Sequence, residues 1–208
     1  MRPNFDAILI PPFTALIIGG KGSGKSVTGH RIAEDLHAKG HSIEILTTRR
    51  VVEKKILPEW MKKTSFQYPK YLADHVILYD ETQLRRHARQ FMGKGNIEED
   101  KGETLTRQRN QSLIHVTQNA FRLDRNLIAS EDIIIFKKPK LIAIQYEKAE
   151  VQPLFENIYH NFKYHCPTPE DPRQSAFIIA DDLDFYGWVA PIELPSYWSE
   201  DLSNWTKL

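Results

Sequence analysis

The 208-residue sequence contains a single cysteine, Cys166. That excludes an intrachain disulfide scaffold and a metal site built from several cysteines. Long apolar runs are also lacking. The longest stretches, such as Ala7–Ile18, are broken by Pro11, Pro12 and Thr14 and fall short of the roughly 18 residues a membrane span needs. Met1–Asp6 carries an acid and no continuous apolar segment, so no secretory leader is expected. There is no repeat at a fixed period and no low-complexity segment. Net charge is only +1 and 41% of residues are hydrophobic, which excludes intrinsic disorder as the main description. These absences leave a soluble protein of a reducing compartment, long enough to bury roughly 70% of its unfolded surface in one domain.

The small net charge hides an asymmetry. Residues 1–148 hold 25 Lys and Arg against 17 Asp and Glu, a net of +8. Residues 149–208 hold 3 against 10, a net of −7. A basic body with an acidic tail suits a polyanionic partner for the body, and equally suits a solvated surface whose halves differ.

Apolar runs alternate with helical patterns. Phe13–Ile18, Ser42–Thr47, His75–Tyr79, Ser112–Thr117, Asp132–Phe136 and Leu141–Tyr146 read as strands. Lys25–Lys39, with Val27, Ile32, Ala33 and Leu36 on one side and Gly40 as a stop, reads as a helix. Val51–Lys63 (interrupted near Pro58), Thr82–Met92 and Glu150–His160 read as further helices. Gly93–Gly102 is a polar loop, Pro167–Pro172 a turn-rich break, and Ala176–Ala180 a short apolar run before an aromatic, acidic tail. This alternation predicts an α/β fold with a mostly parallel sheet covered on both faces. Ligands of such sheets bind at the carboxyl ends of the strands.

The motifs fall at those ends. Gly19–Ser26 reads GGKGSGKS and fits the phosphate-loop pattern G-x-x-x-x-G-K-[ST], with a strand before it and a helix after it. Gly19, Gly20, Gly22 and Gly24 let the backbone curl so that amides of the loop, through Lys21, Ser23 and on to Val27, point at phosphate oxygens. Lys25 is placed to reach the β- and γ-phosphates, and Ser26 to offer a hydroxyl to Mg²⁺. Val76–Glu81 (VILYDE) is an apolar strand running into two acids, 55 residues after Lys25 when counted to Asp80. Asp80 suits the retention of a magnesium-bound water. Glu81 suits a base that accepts a proton from water attacking the γ-phosphate. Gln118 ends a third apolar strand, where a neutral amide can sense the γ-phosphate or orient the water. The order of motifs predicts that the glutamine strand lies between the phosphate-loop strand and the acidic strand. Arg107 and Arg109 precede the glutamine strand and Arg122 and Arg125 follow it. Any of them could reach a neighbouring subunit's γ-phosphate or be a surface arginine. Arg85, Arg86 and Arg89 could face a nucleic acid or solvent.

Taken together, GGKGSGKS, VILYDE and RQRNQSLIHVTQNAFRLDRNLIASEDIIIF, in that order, resemble the FtsK–HerA superfamily of DNA-pumping ATPases. Within it they are most similar to the small viral genome-packaging ATPases of poxviruses and membrane-containing icosahedral viruses. The third block discriminates, through Arg107, Thr117-Gln118 and Arg125-Asn126-Leu127. The resemblance covers roughly residues 13–137. It implies a RecA-like P-loop NTPase with additional-strand topology, ATP and Mg²⁺ as ligands, and a ring-shaped homo-oligomer, often a hexamer. It implies movement of double-stranded DNA into a preformed capsid, and a location in the host cytoplasm and in association with the virion. Motif by motif it assigns Lys25 and Ser26 to phosphate and metal, Asp80 to the metal, Glu81 to the base, Gln118 to the sensor and Arg107 to the trans-acting arginine, with Arg109 its rival. The last 60 or so residues fall outside the resemblance, and the chain reads as an ATPase core, residues 1–160, with a short acidic extension, 161–208, packed on the core or on a neighbouring subunit. Trp188, Trp198 and Trp205 in that extension could alternatively dock a capsid or membrane protein at the packaging vertex. The competing readings are a HerA-like or conjugation-type translocase acting on cellular or plasmid DNA, a small-molecule P-loop kinase, and a nucleotide-gated binding protein.

Overall fold

The structure, a computed structural model, describes residues 2–46, 56–64, 73–80, 107–117, 131–147, 149–167 and 172–205. Eight strands form one sheet: β1 (Thr14–Ile18), β2 (Ser42–Leu46), β3 (Met61–Thr64), β4 (His75–Tyr79), β5 (Ser112–Thr117), β6 (Ile133–Phe136), β7 (Phe177–Ala180) and β8 (Phe185–Trp188). Their order is β3-β2-β4-β5-β1-β6-β7-β8. The first six are parallel; β7 and β8 add on antiparallel. The α-helices among the described residues are α1 (Lys25–Ala38), α2 (Leu141–Ile144), α3 (Gln152–Tyr164) and α4 (Glu200–Trp205).

The near-continuous apolar runs of the parallel strands follow from burial on both faces. Along β1, Ala15 and Ile17 point to the face covered by Ile32, Ala33 and Leu36 of α1. Ile18, with Phe136 of β6, points to the other face, covered by Ile144, Phe155, Ile158 and Phe162 of α2 and α3. The start of β1 is clamped by Asp132, whose carboxylate accepts from the Thr14 amide at 2.8 Å and the Thr14 hydroxyl at 3.1 Å. The glutamine strand β5 lies between β1 and β4, as the motif order predicts.

Two predicted elements are corrected. Met61–Thr64 is the edge strand β3, not the end of a helix; Val51–Lys55 lie outside the described residues. Pro58 starts a turn, with the Met61 amide donating to its carbonyl at 3.1 Å. Beyond it Met61 is buried and Lys62 exposed, the period of a strand rather than a helix. Leu141–Tyr146 is not a strand: Leu141–Ile144 is one helical turn. The apolar run has no ladder to join, because β6 is already paired on one side by β1 and on the other by β7. Thr82–Met92 and the loop Gly93–Gly102 lie outside the described residues.

The chain beyond β6 returns to the sheet and then crosses α1. Trp188 packs edge-on against Phe162 and Phe177, and Trp198 edge-on against His30 of α1, so both rings are engaged within the chain. Among the described residues no helix is long and apolar enough to cross a membrane.

Gly29 sets how closely α1 approaches the sheet. A Cβ there would stand 3.0 Å from Leu78 Cδ1 and 3.2 Å from Val116 Cγ2. Gly29→Val should therefore cost about 1–3 kcal/mol by overpacking. For a chain of this size that lowers the thermal midpoint by about 2–12 °C, which a circular-dichroism melt reads directly. An unchanged midpoint would contradict the close approach.

Candidate active site

Because β1, β4 and β5 are parallel neighbours, their carboxyl ends Ile18, Tyr79 and Thr117 share one edge of the sheet. The loop Gly19–Gly24 leaves β1 there and runs into α1. Gly22 and Gly24 have φ of +78° and +89°, a region that side chains disfavour. The loop is braced from outside. The Gly20 amide donates to the Lys138 carbonyl at 3.1 Å, and a Cβ on Gly24 would lie 2.8 Å from the Arg173 carbonyl oxygen. Around Gly22, by contrast, no described residue beyond its chain neighbours comes within 4 Å of a Cβ placed there.

The first turn of α1 carries no acidic residue, and its cap Gly24 provides no side-chain hydrogen bond. The orphan N–H donors and the positive end of the helix dipole are thus left to a ligand. The Ser23 hydroxyl is buried without a hydrogen-bond partner among the described residues. Lys25 is buried, and its ammonium donates to the Gly20 carbonyl of its own loop at 2.8 Å. Burial pushes Lys25 down from its usual 10.5 to about 8; Asp80 opposes the shift and Lys140 adds to it. Among the described residues these groups fit a polyphosphate: helix-start donors, a buried cation turned onto a neutral carbonyl, and room over Gly22.

The two residues predicted to serve a metal are brought together. The Ser26 hydroxyl donates to Asp80 Oδ1 at 3.2 Å, joining positions 54 apart. Asp80 itself is held at the end of β4 by its amide, which donates to the Leu46 carbonyl at 3.1 Å. Among the described residues no group of three or more His, Cys, Asp and Glu side chains is arranged around a cation position. A divalent ion beside Ser26 and Asp80 would take its remaining ligands from water and phosphate, the habit of Mg²⁺.

Glu81 and Gln118 follow the ends of β4 and β5 in sequence and lie outside the described residues. Arg107–Arg109 form a single 3₁₀ turn ahead of β5, at the amino edge of the sheet. The six residues of β5 separate that turn from the phosphate-loop edge, roughly 20 Å at 3.3 Å per residue. Neither Arg107 nor Arg109 is therefore brought to the chain's own phosphate loop. Arg122 and Arg125 lie outside the described residues.

One buried group beside the site escaped the motif reading. His30 lies on α1 one turn beyond Ser26, its Nε2 3.9 Å from Asp80 Oδ2. The signal was present in the sequence, since residues four apart on a helix share a face.

No protein-family profile and no curated protein matches the sequence. Solved structures do. The genome-packaging NTPase B204 of Sulfolobus turreted icosahedral virus 2, in complex with AMPPCP, superposes with a TM-score of 0.65 at 16% identity over 88% of this chain and 100% of that one. The DNA-packaging ATPase B204 from Sulfolobus turreted icosahedral virus gives 0.64 at 16% identity, over 89% and 100%. EssC (ATPases 2 and 3) from Geobacillus thermodenitrificans gives 0.58 at 11% identity, over 94% of this chain and 43% of that one. The chain has the RecA-like P-loop NTPase fold of these proteins.

The depressed Lys25 carries a pH signature in the ligand-free protein. Below about pH 8 folded and unfolded chains both hold the proton, and the buried charge costs its full amount. Between about 8 and 10.5 only the unfolded chain holds it, so folded stability rises with pH across that window. Lys25→Met should stabilise the ligand-free protein at pH 7 by about 3 kcal/mol and remove the rise. Urea unfolding between pH 7 and 10.5 reads both, and parallel curves for the two proteins would refute the assignment.

Proposed function

We propose that this protein is an ATP hydrolase of the FtsK–HerA type, a motor that drives double-stranded DNA into a preformed viral capsid and hydrolyses ATP at the subunit interfaces of a ring. The observation that carries the reading is the Ser26–Asp80 hydrogen bond, set at the carboxyl edge of the sheet beside an anion-ready loop. Its support from likeness is the full coverage of two viral packaging ATPases by this chain.

In this reading the amides of residues 19–27 and the Lys25 ammonium hold the β- and γ-phosphates, with the buried Ser23 hydroxyl as a further donor. Ser26 and, through water, Asp80 hold Mg²⁺, which when bound neutralises phosphate charge. Glu81 accepts the proton of the attacking water as the water oxygen bonds to the γ-phosphorus and the bond to the β–γ bridging oxygen breaks, releasing ADP and phosphate. Gln118 orients that water. Arg107 or Arg109, at the far edge of the sheet, serves a neighbouring subunit's phosphate rather than its own; a planar, permanently charged guanidinium suits that task. The basic body, net +8 over residues 1–148, faces the polyanion.

ATP turnover per chain, measured against protein concentration with and without long double-stranded DNA, tests the reading. Turnover should rise cooperatively with concentration and respond to DNA. Glu81→Gln should lower kcat by about 10²–10⁴ and Arg107→Ala by about 10³ or more, with Arg109→Ala deciding between the two arginines. Turnover that ignores concentration and DNA and survives both arginine substitutions would instead indicate transfer to a small phosphoacceptor. DNA-stimulated turnover without any capsid-dependent packaging would favour a translocase of cellular or plasmid DNA.

A further inference from the structure

The segment after β8 is tied across α1 by contacts that end at Asp80. The backbone amide of Ser196 donates to Glu34 of α1 at 2.9 Å, and its hydroxyl donates to the same carboxylate. Trp60 stacks on His37 with ring centroids 4.2 Å apart and meets Tyr197 edge-on. Tyr197 reaches under α1 to His30: its hydroxyl is 2.9 Å from Nδ1 and 3.3 Å from the His30 carbonyl oxygen. Trp198 closes the other side of the ring. His30 is thereby only 1% exposed, and its Nε2 has no hydrogen-bond partner among the described residues. The group it faces is Asp80 Oδ2 at 3.9 Å, while Oδ1 of the same carboxylate accepts from Ser26.

The Tyr197 hydroxyl meets His30 twice, at Nδ1 and at the carbonyl oxygen, to which it donates at 3.3 Å. With Trp198 edge-on against the ring, these contacts fix the imidazole plane and leave Nε2 turned to Asp80. At 3.9 Å that contact is longer than a hydrogen bond.

We infer that His30 is a positioning residue for Asp80, governed by the C-terminal segment: Tyr197 and Trp198 hold the ring with Nε2 against Oδ2, so that Oδ1 stays turned to Ser26 and a divalent ion. The inference rests on the nucleotide and metal reading above and adds to it a second layer, in which the packing of residues 196–198 on α1 tunes metal affinity. Ring nitrogens and hydroxyls behind a metal-holding carboxylate act in this way generally.

The test uses the full chain with two readouts: fluorescence titration of a labelled ATP analogue with divalent ions chelated, and electron paramagnetic resonance titration of Mn²⁺ in the presence of AMPPCP. His30→Asn keeps a partner for Tyr197 but withdraws the polar atom that faces Asp80, and should raise half-saturating Mn²⁺ about tenfold with metal-free nucleotide affinity unchanged. His30→Gln, whose amide reaches where Nε2 stood, should recover most of the loss. Tyr197→Phe should shift Mn²⁺ in the same direction by less. Variants that bind Mn²⁺ as the wild type does would overturn the inference, as would Asn and Gln weakening it equally, since His30 would then only fill space. Should His30→Asn fail to fold in a thermal melt, Tyr197→Phe, which removes one oxygen, decides alone. A wild type that binds no nucleotide even without metal would sink the nucleotide reading and this inference together; binding with variant-indifferent Mn²⁺ sinks the inference only.

Discussion

Everything at the candidate site depends on β1 being hydrogen-bonded along both edges by parallel strands. A parallel ladder puts every carboxyl end on one side, so the polypeptide must leave β1, β4 and β5 at the same rim. The rim is where backbone donors run out of ladder partners, and where a loop of small residues can curl without burying unpaired amides. The sequence supplies glycine at the two positions, 22 and 24, where φ is positive. It supplies Gly29 where α1 must lie close to Leu78 and Val116. The short gap between α1 and β4 is what lets a serine hydroxyl reach an aspartate more than fifty positions away.

The same rim concentrates charge that the ligand-free protein only partly compensates. Lys25 is turned onto a carbonyl of its own loop, a neutral acceptor in place of an anion. Lys140 stands close enough to weaken its hold on the proton. Asp80 is shared between a hydroxyl and a ring nitrogen. An anion and a divalent cation arriving together would relieve both imbalances, which is the electrostatic reason for the two to bind as one unit.

The parts legible in the sequence were those written in neighbouring residues. GGKGSGKS states its own conformation, because glycine and a helix-starting Lys-Ser leave few alternatives. Motif order along the chain was enough to set β5 between β1 and β4. Apolar runs were ambiguous where context decides: Leu141–Ile144 has a strand's composition, yet β6 has no free edge to offer it. Met61–Thr64 has a helix-compatible neighbourhood, yet the turn at Pro58 sends it to the sheet edge beside β2. His30 was half legible, through its helical spacing from Ser26. Its partner Tyr197 was not, because a contact across 167 positions leaves no local trace. The roles of Glu81 and Gln118 rest on motif alone.

The crossing of residues 196–198 over α1 also has a consequence in time. Ser196 meets a helix residue made 162 positions earlier. At about 5–20 residues per second a ribosome needs roughly 8–30 s to traverse that distance. Throughout that interval the part of α1 that residues 196–198 will cover, with the imidazole of His30, lacks those three residues and is more open to water or to a chaperone. The phosphate loop can be in place long before the residues that steady the aspartate beside it. A nascent chain would thus acquire the capacity to hold an anion first and a fully ordered acidic partner only once residues 196–198 have been made.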